Sequence, residues 1–274
     1  MATSSVADFL LPEGFSAPGR GAVLRETRVL TEAGRLALSR LGRGGRVPYV
    51  DRAGTRDVDP VVLVPGFLAG DGSLSMMARV LRQHGYRTYR SHIHANVGCT
   101  QSAAAQLEGR LETIAARRGR RVQVVGHSLG GMLARGLAVR RPDLVAGIVT
   151  LGSPMLAPAA HHASLARSLD ALVRLSRAGV PGLMSLDCVA GACARTSFDE
   201  SRLPLETDVE FTAVYSRRDG IVDWRACVDP LAWPVEVRSS HVGMAVDPKV
   251  IGVVLAALAR HHASVVEIDQ GQSA

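Results

Sequence analysis

Val122-Gln123-Val124-Val125-Gly126-His127-Ser128-Leu129-Gly130-Gly131-Met132-Leu133-Ala134 decides the fold of this chain. Val122–Val125 reads as a short buried strand. Gly131–Ala138 reads as a helix packed closely at its start. Between them lies a Gly-x-Ser-x-Gly pentapeptide. A strand, this pentapeptide and a helix together make a turn so tight that the serine backbone is strained and its hydroxyl stands at the top of the sheet. Glycine is needed two residues before and two after the serine, because side chains there would meet the neighbouring strand and helix. The pentapeptide alone is common; the flanking pattern makes it informative.

The same rhythm extends on both sides. Upstream, Pro60-Val61-Val62-Leu63-Val64 is a continuous apolar run, as for a strand buried on both faces, and Pro65-Gly66-Phe67 ends it. A helix over 74–83, a strand over 86–93 and a helix over 103–117 follow. Downstream, 145–151 reads as a strand ending at Gly152-Ser153-Pro154. Strands return at 209–215 and 235–238, and a helix over 250–260 closes the pattern. This alternation predicts an α/β fold with a mostly parallel, doubly wound sheet. Residues 155–205 break the rhythm with an amphipathic helix over 161–178 and a loose Gly/Ala/Cys segment. They read as a small helical cap inserted over the sheet's C-terminal edge. The domain reading is a basic, partly helical leader at 1–45, a core at 46–154 and 206–263, the cap at 155–205 and a flexible tail at 264–274.

The chain has 274 residues, enough for one α/β domain with an insertion. Its formal charge is +7, and Lys249 is the sole lysine among its cations. An excess of dispersed arginine does not make a nucleic-acid surface, so no nucleic-acid partner is expected. It is compatible with anionic lipid, and the leader helix over 23–41 reads either as packed on the domain edge or as lying on a membrane. The N-terminus lacks a basic start followed by an apolar core, so a cytoplasmic protein with reduced thiols is expected. Cys188 and Cys193 share one loop, and Cys227 is a candidate neighbour in space. No Cys-x-x-Cys pair or matching histidine spacing points to a metal, and neither metal nor cofactor is expected.

A serine nucleophile requires a base, and the base requires a carboxylate to orient it. Ser128, Asp219 and His241 each follow a strand, in the order Ser…Asp…His, which places all three at one sheet edge. Asp223 is the competing acid, although it also suits the N-cap of a following helical turn. His127, beside the serine, reads as a structural hydrogen-bonding residue. His261 and His262 lie in the closing helix, away from that edge. An oxyanion needs preorganised N–H donors. The amide of Leu129 is one candidate; the amide of Phe67, after Gly66, is the other. Leu68, Met132, Met155 and Leu156 are candidate walls of an apolar site, with Met184 nearby.

Val62–Phe67, Gly126–Gly131, Ser216–Val222 and Ser240–Met244 together resemble the α/β-hydrolase superfamily, over roughly residues 58–260. The segments look closest to bacterial lipases and esterases, actinobacterial ones especially. Pro65-Gly66 stands where many lipases have His-Gly. The resemblance implies that Ser128 attacks an acyl carbonyl, that His241 then activates water, and that Asp219 holds the imidazole. It implies a small-molecule ester or lipid substrate and no cofactor. An acyltransferase or thioesterase using the same triad remains open, as does a non-catalytic lipid-binding fold.

Overall fold

The apolar runs become six strands of one sheet in a computed structural model that describes residues 8–40 and 59–272. In chain order these are β1 (Val61–Val64), β2 (Thr88–Arg90), β3 (Val122–His127), β4 (Val145–Leu151), β5 (Glu210–Ser216) and β6 (Trp233–Val237). Their spatial order is β2-β1-β3-β4-β5-β6, and every neighbouring pair is parallel. The helices are α1 (Val29–Arg40), α2 (Ser75–Gln83), α3 (Thr100–Arg118), α4 (Leu129–Arg140), α5 (Ala163–Arg177), α6 (Leu186–Ala190), α7 (Ala192–Glu200) and α8 (Pro248–Gln272).

Side chains alternate across each strand, so one apolar run serves two cores. Val61 and Leu63 join one cluster with residues of α2 and α8; Val62 and Val64 join the other with residues of α3 and α4. β1, β3 and β4 are buried at every position. The chain runs outward from β1 to β2, then returns across to β3. The switch in direction therefore lies between β1 and β3, and a ligand crevice forms beyond the C-terminal ends of strands at such a point. Phe67 follows β1 and Ser128 follows β3.

Three expectations change. β2 stops at Arg90 rather than extending to residue 93. The Asp71 carboxylate accepts the amides of Ser91 and His92, both at 3.0 Å, and the Ser91 hydroxyl at 2.6 Å. These bonds draw the backbone out of the ladder, and His92 sits at φ 69°. The loose part of the cap contains α6 and α7. The closing helix, expected over 250–260, spans Pro248–Gln272. Between Val253 and Gln270 the sequence holds no glycine or proline to stop it.

Of the leader and the start of the core, residues 1–7 and 41–58 lie outside the described residues. A 3-10 turn over Ala22–Arg28 precedes α1. Leu36 is buried, but Leu24, Leu30 and Leu38 are exposed, Leu30 by 76%. The side chain that enters most fully is acidic: Glu32 is 0% exposed. Among the described residues no helix is long and apolar enough to cross a membrane.

Candidate active site

β3 ends at His127 and α4 begins at Leu129, so Ser128 alone makes the turn. Its backbone adopts φ 51° and ψ −121°. Such a conformation costs a non-glycine residue on the order of 1–3 kcal/mol and persists only where the surroundings enforce it. Here the close approach of strand and helix enforces it. A Cβ at Gly126 would lie 2.4 Å from Gly131 Cα, and one at Gly130 would lie 2.2 Å from the Val64 carbonyl oxygen. The Ser128 amide donates to Leu151 O of β4 at 2.8 Å.

β5 delivers Asp219 through a turn in which the Asp219 amide donates to Ser216 O at 3.0 Å. Asp219 Oδ1 accepts the amides of Ile221 and Val222, both at 2.8 Å. Its Oδ2 faces His241 Nδ1 at 2.6 Å, with both side chains buried. A carboxylate only accepts, so His241 carries its proton on Nδ1, and Nε2 of the neutral ring is left as an acceptor. Burial works against charge on His241, but the Asp219 carboxylate, its hydrogen bond and the more distant Glu26 carboxylate outweigh it. The imidazole pKa is raised above 6.5.

His127 has another task. Its Nε2 lies 2.9 Å from the His241 carbonyl, which can only accept, so this nitrogen donates. Burial, with His241 nearby, lowers its pKa to about 4. The two rings are 4.9 Å apart. Ser128 is thus one residue from a ring packed against His241. Among the described residues no hydrogen bond joins Ser128 to His241; bonds of this type often tighten only once substrate is bound. Asp223 faces Arg225 at 2.6 Å and accepts the Ser16 amide at 3.1 Å. It caps the turn Trp224–Cys227, bonding the Arg225 amide at 3.1 Å. His261 bonds Gln123 and Thr212, near the starts of β3 and β5 and so at the opposite edge of the sheet.

Sequence reasoning missed three supporting residues. Glu26 Oε1 accepts the amides of Gly220 and His241 at 2.9 and 3.1 Å, and Oε2 accepts that of Val242 at 2.8 Å. Glu32 accepts the Ser240 amide at 2.9 Å and the Ser240 hydroxyl at 2.6 Å. The available signal was that these are the two acidic residues between Gly14 and Val50, in a stretch otherwise rich in arginine. Asn96 is the third. Its side-chain amide donates to Pro65 O at 2.9 Å, and its carbonyl accepts the Leu68 amide at 3.3 Å, which fixes the loop after β1.

Ser128, Leu129 and Phe67 open onto a cavity of about 220 Å³. Leu165 and Leu169 of α5, Met184 from the loop after α5 and Phe198 of α7 line it from the insertion, and Met132 lines it from α4. Among the described residues no protein acceptor bonds the amides of Phe67 or Leu129. Leu68, Met155 and Leu156 do not line the cavity. Leu68 is 51% exposed; Met155 is packed inside the protein; Leu156 is tied through its amide to Ala226 O at 3.0 Å. Cys227 is buried with its thiol 3.8 Å from Asp223 O, apart from the other three cysteines.

Residues 59–182 match the sequence profile described as the α/β hydrolase fold. Solved structures share the architecture. The mature form of a Bacillus licheniformis lipase is 18% identical, with 73% of this chain and 92% of that one covered, at a TM-score of 0.58. A Paleococcus ferrophilus monoacylglycerol lipase is 14% identical, with 73% and 96% covered, at 0.50. A pyrethroid hydrolase is 18% identical, with 74% and 98% covered, at 0.50. At these identities the likeness is one of fold.

Proposed function

Given a chain that has the α/β-hydrolase fold, we propose that it is a serine hydrolase cleaving carboxylic esters with lipophilic acyl groups. One observation carries the reading: the buried Asp219–His241 pair, closed at 2.6 Å, at the same sheet edge as the strained Ser128. In the proposed reaction the ester carbonyl lies against Ser128, with its oxygen toward the amides of Phe67 and Leu129. Oγ of Ser128 attacks as Nε2 of His241 takes its proton. Asp219 stabilises the imidazolium without taking a proton itself. The two amides bind the oxyanion of the tetrahedral intermediate, and loss of one such donor typically costs on the order of a hundredfold to a thousandfold in turnover. His241 returns the proton to the leaving alcohol, and the acyl group stays on Ser128. Water then attacks the acyl-enzyme, with His241 again as base, and the acid leaves.

The cavity supports the acyl preference. Its walls are mainly leucine, methionine, phenylalanine and alanine, with Asp170 and His161 as the acidic and basic side chains among them. The test is hydrolysis of p-nitrophenyl esters from acetyl to palmitoyl by wild type and Ser128→Ala. Hydrolysis that falls by roughly a thousandfold or more in a folded Ser128→Ala supports the reading. A folded wild type inert on every chain length, or a variant as active as wild type, overturns it.

A further inference from the structure

Cys99, Cys188 and Cys193 come from two distant parts of the chain and meet at one point. Their three sulfur atoms all lie within 4.8 Å of one another, and Cys99 Sγ is 3.5 Å from Cys193 Sγ. Three thiolates around one tetrahedral zinc, with Zn–S bonds near 2.3 Å, have sulfurs roughly 3.8 Å apart. A 3.5 Å contact and separations all within 4.8 Å are compatible with that spacing. Each of the three cysteines is partly exposed, so an ion can reach them.

The surroundings favour such a cluster. Cys99 is the N-cap residue of α3, and Cys193 is the second residue of α7. The N-terminus of α3 carries partial positive charge, which favours thiolate over thiol at Cys99, while burial and the neighbouring cysteines push the Cys193 thiol up to about 11. The turn between α6 and α7 is braced from within. Asp187 accepts the amides of Ala192 and Cys193 at 2.8 and 3.3 Å, which fixes how the Cys188 and Cys193 backbones face one another. Ser185 Oγ lies 3.4 Å from Cys188 Sγ, and Thr100 Oγ1 lies 4.0 Å from Cys193 Sγ, so polar contacts surround the sulfurs.

We propose that Cys99, Cys188 and Cys193 form a three-thiolate site for a thiophilic metal ion of the Zn²⁺ class, fastening the insertion to the start of α3. As the three metal–sulfur bonds form, the thiol protons leave to solvent. The fourth position on the ion is open to water. Because Cys188 also lines the cavity beside Ser128, the ion would stiffen one wall of that cavity and take no part in acyl chemistry. Spacing along the chain carries no metal signature, since Cys99 lies far outside the Cys188–Cys193 loop. The crossing of α3 and α7 brings it there.

The test uses the full chain, reduced and stripped with chelator, then titrated with Co²⁺. Thiolate-to-cobalt charge-transfer absorption saturating at one ion per chain is expected, with Zn²⁺ displacing the cobalt. Zn²⁺ should also shield Cys99, Cys188 and Cys193 from a thiol-titrating disulfide reagent. Cys99→Ser, Cys188→Ser and Cys193→Ser should each lose the absorption, while Cys227→Ser keeps it. Cys227 is buried, so wild-type stoichiometry and thiol shielding decide the matter if that control misfolds. A folded wild type with no charge-transfer band overturns the proposal. So does a band that survives Cys99→Ser, or a Cys99–Cys193 disulfide that forms in air despite one equivalent of Zn²⁺.

Discussion

Glu26 holds His241 by its backbone: the carboxylate accepts the His241 amide at 3.1 Å, and the same oxygen accepts the Gly220 amide at 2.9 Å. One side chain from outside the sheet thereby ties the loop carrying Asp219 to the loop carrying His241. Its charge also helps to raise the His241 pKa. In the proposed reaction Glu26 is a positioning residue, acting through His241 and the Asp219 loop.

Glu26→Gln is therefore expected to lower kcat on ester substrates by about ten- to hundredfold, since small misplacements in a catalytic constellation have costs of that order. A purely structural loss would leave the pH profile in place. Loss of the charge should move the acid limb of kcat/KM downward, from a midpoint above 6.5 in wild type. An unmoved limb would show that Glu26 does not act on His241 electrostatically.

Asp219→Asn is expected to reduce kcat by about ten-thousandfold, because an amide no longer enforces the imidazole tautomer. Asp223→Asn should change kcat only a few-fold, since Asp223 is engaged by Arg225 and Ser16. Steady-state kinetics on one ester separate the two. The opposite ranking would make Asp223 the acid.

Acid should weaken the fold through two buried histidines. Burial, aided by a nearby positive group, lowers both His127 and His261 to about 4. Unfolded, each titrates near 6.5, so as pH falls below 6.5 the unfolded chain takes up protons first. Stability is full above pH 6.5, declines toward pH 4, and no longer changes through these groups below that. The loss is roughly 3 kcal/mol per histidine. His241 runs the other way: its raised pKa contributes stability present below 6.5 and lost as pH rises through its folded value. Urea midpoints between pH 7 and pH 4.5 should fall less steeply in His261→Gln than in wild type. Equal slopes would remove His261 from the account.

Leu169→Trp should narrow the cavity from its α5 wall. The optimum in the p-nitrophenyl series should move to shorter acyl chains, with acetyl hydrolysis nearly unchanged. A uniform fall across the series would mean that the acyl chain does not run past Leu169.

Much of this was legible in local sequence. Val61–Val64 and Val122–His127 are apolar on both faces, which only a sheet covered on both sides accommodates. Gly126, Ser128 and Gly130 announce a turn whose glycines are required by near neighbours. Ser128, Asp219 and His241 each follow a strand, and because the strands all run one way their loops open at the same edge. Where local reading stopped at the wrong residue, a distant partner intervened: Asp71 removed Ser91 and His92 from β2.

The alternation of strands and helices, the two-faced burial of the central strands and the elbow at Ser128 are all written in local sequence. These depend on neighbours a few residues apart. Folding alone makes Glu26 and Glu32 brace the loops around His241, lets Asn96 hold the loop before Phe67 and carries Cys99 to Cys188 and Cys193. Each joins segments tens to hundreds of residues apart, and a single polar side chain carries no periodicity to reveal its distant partner. Packing of the sheet and its helices brings those partners within hydrogen-bonding or sulfur contact distance, and that proximity exists only once the chain has folded.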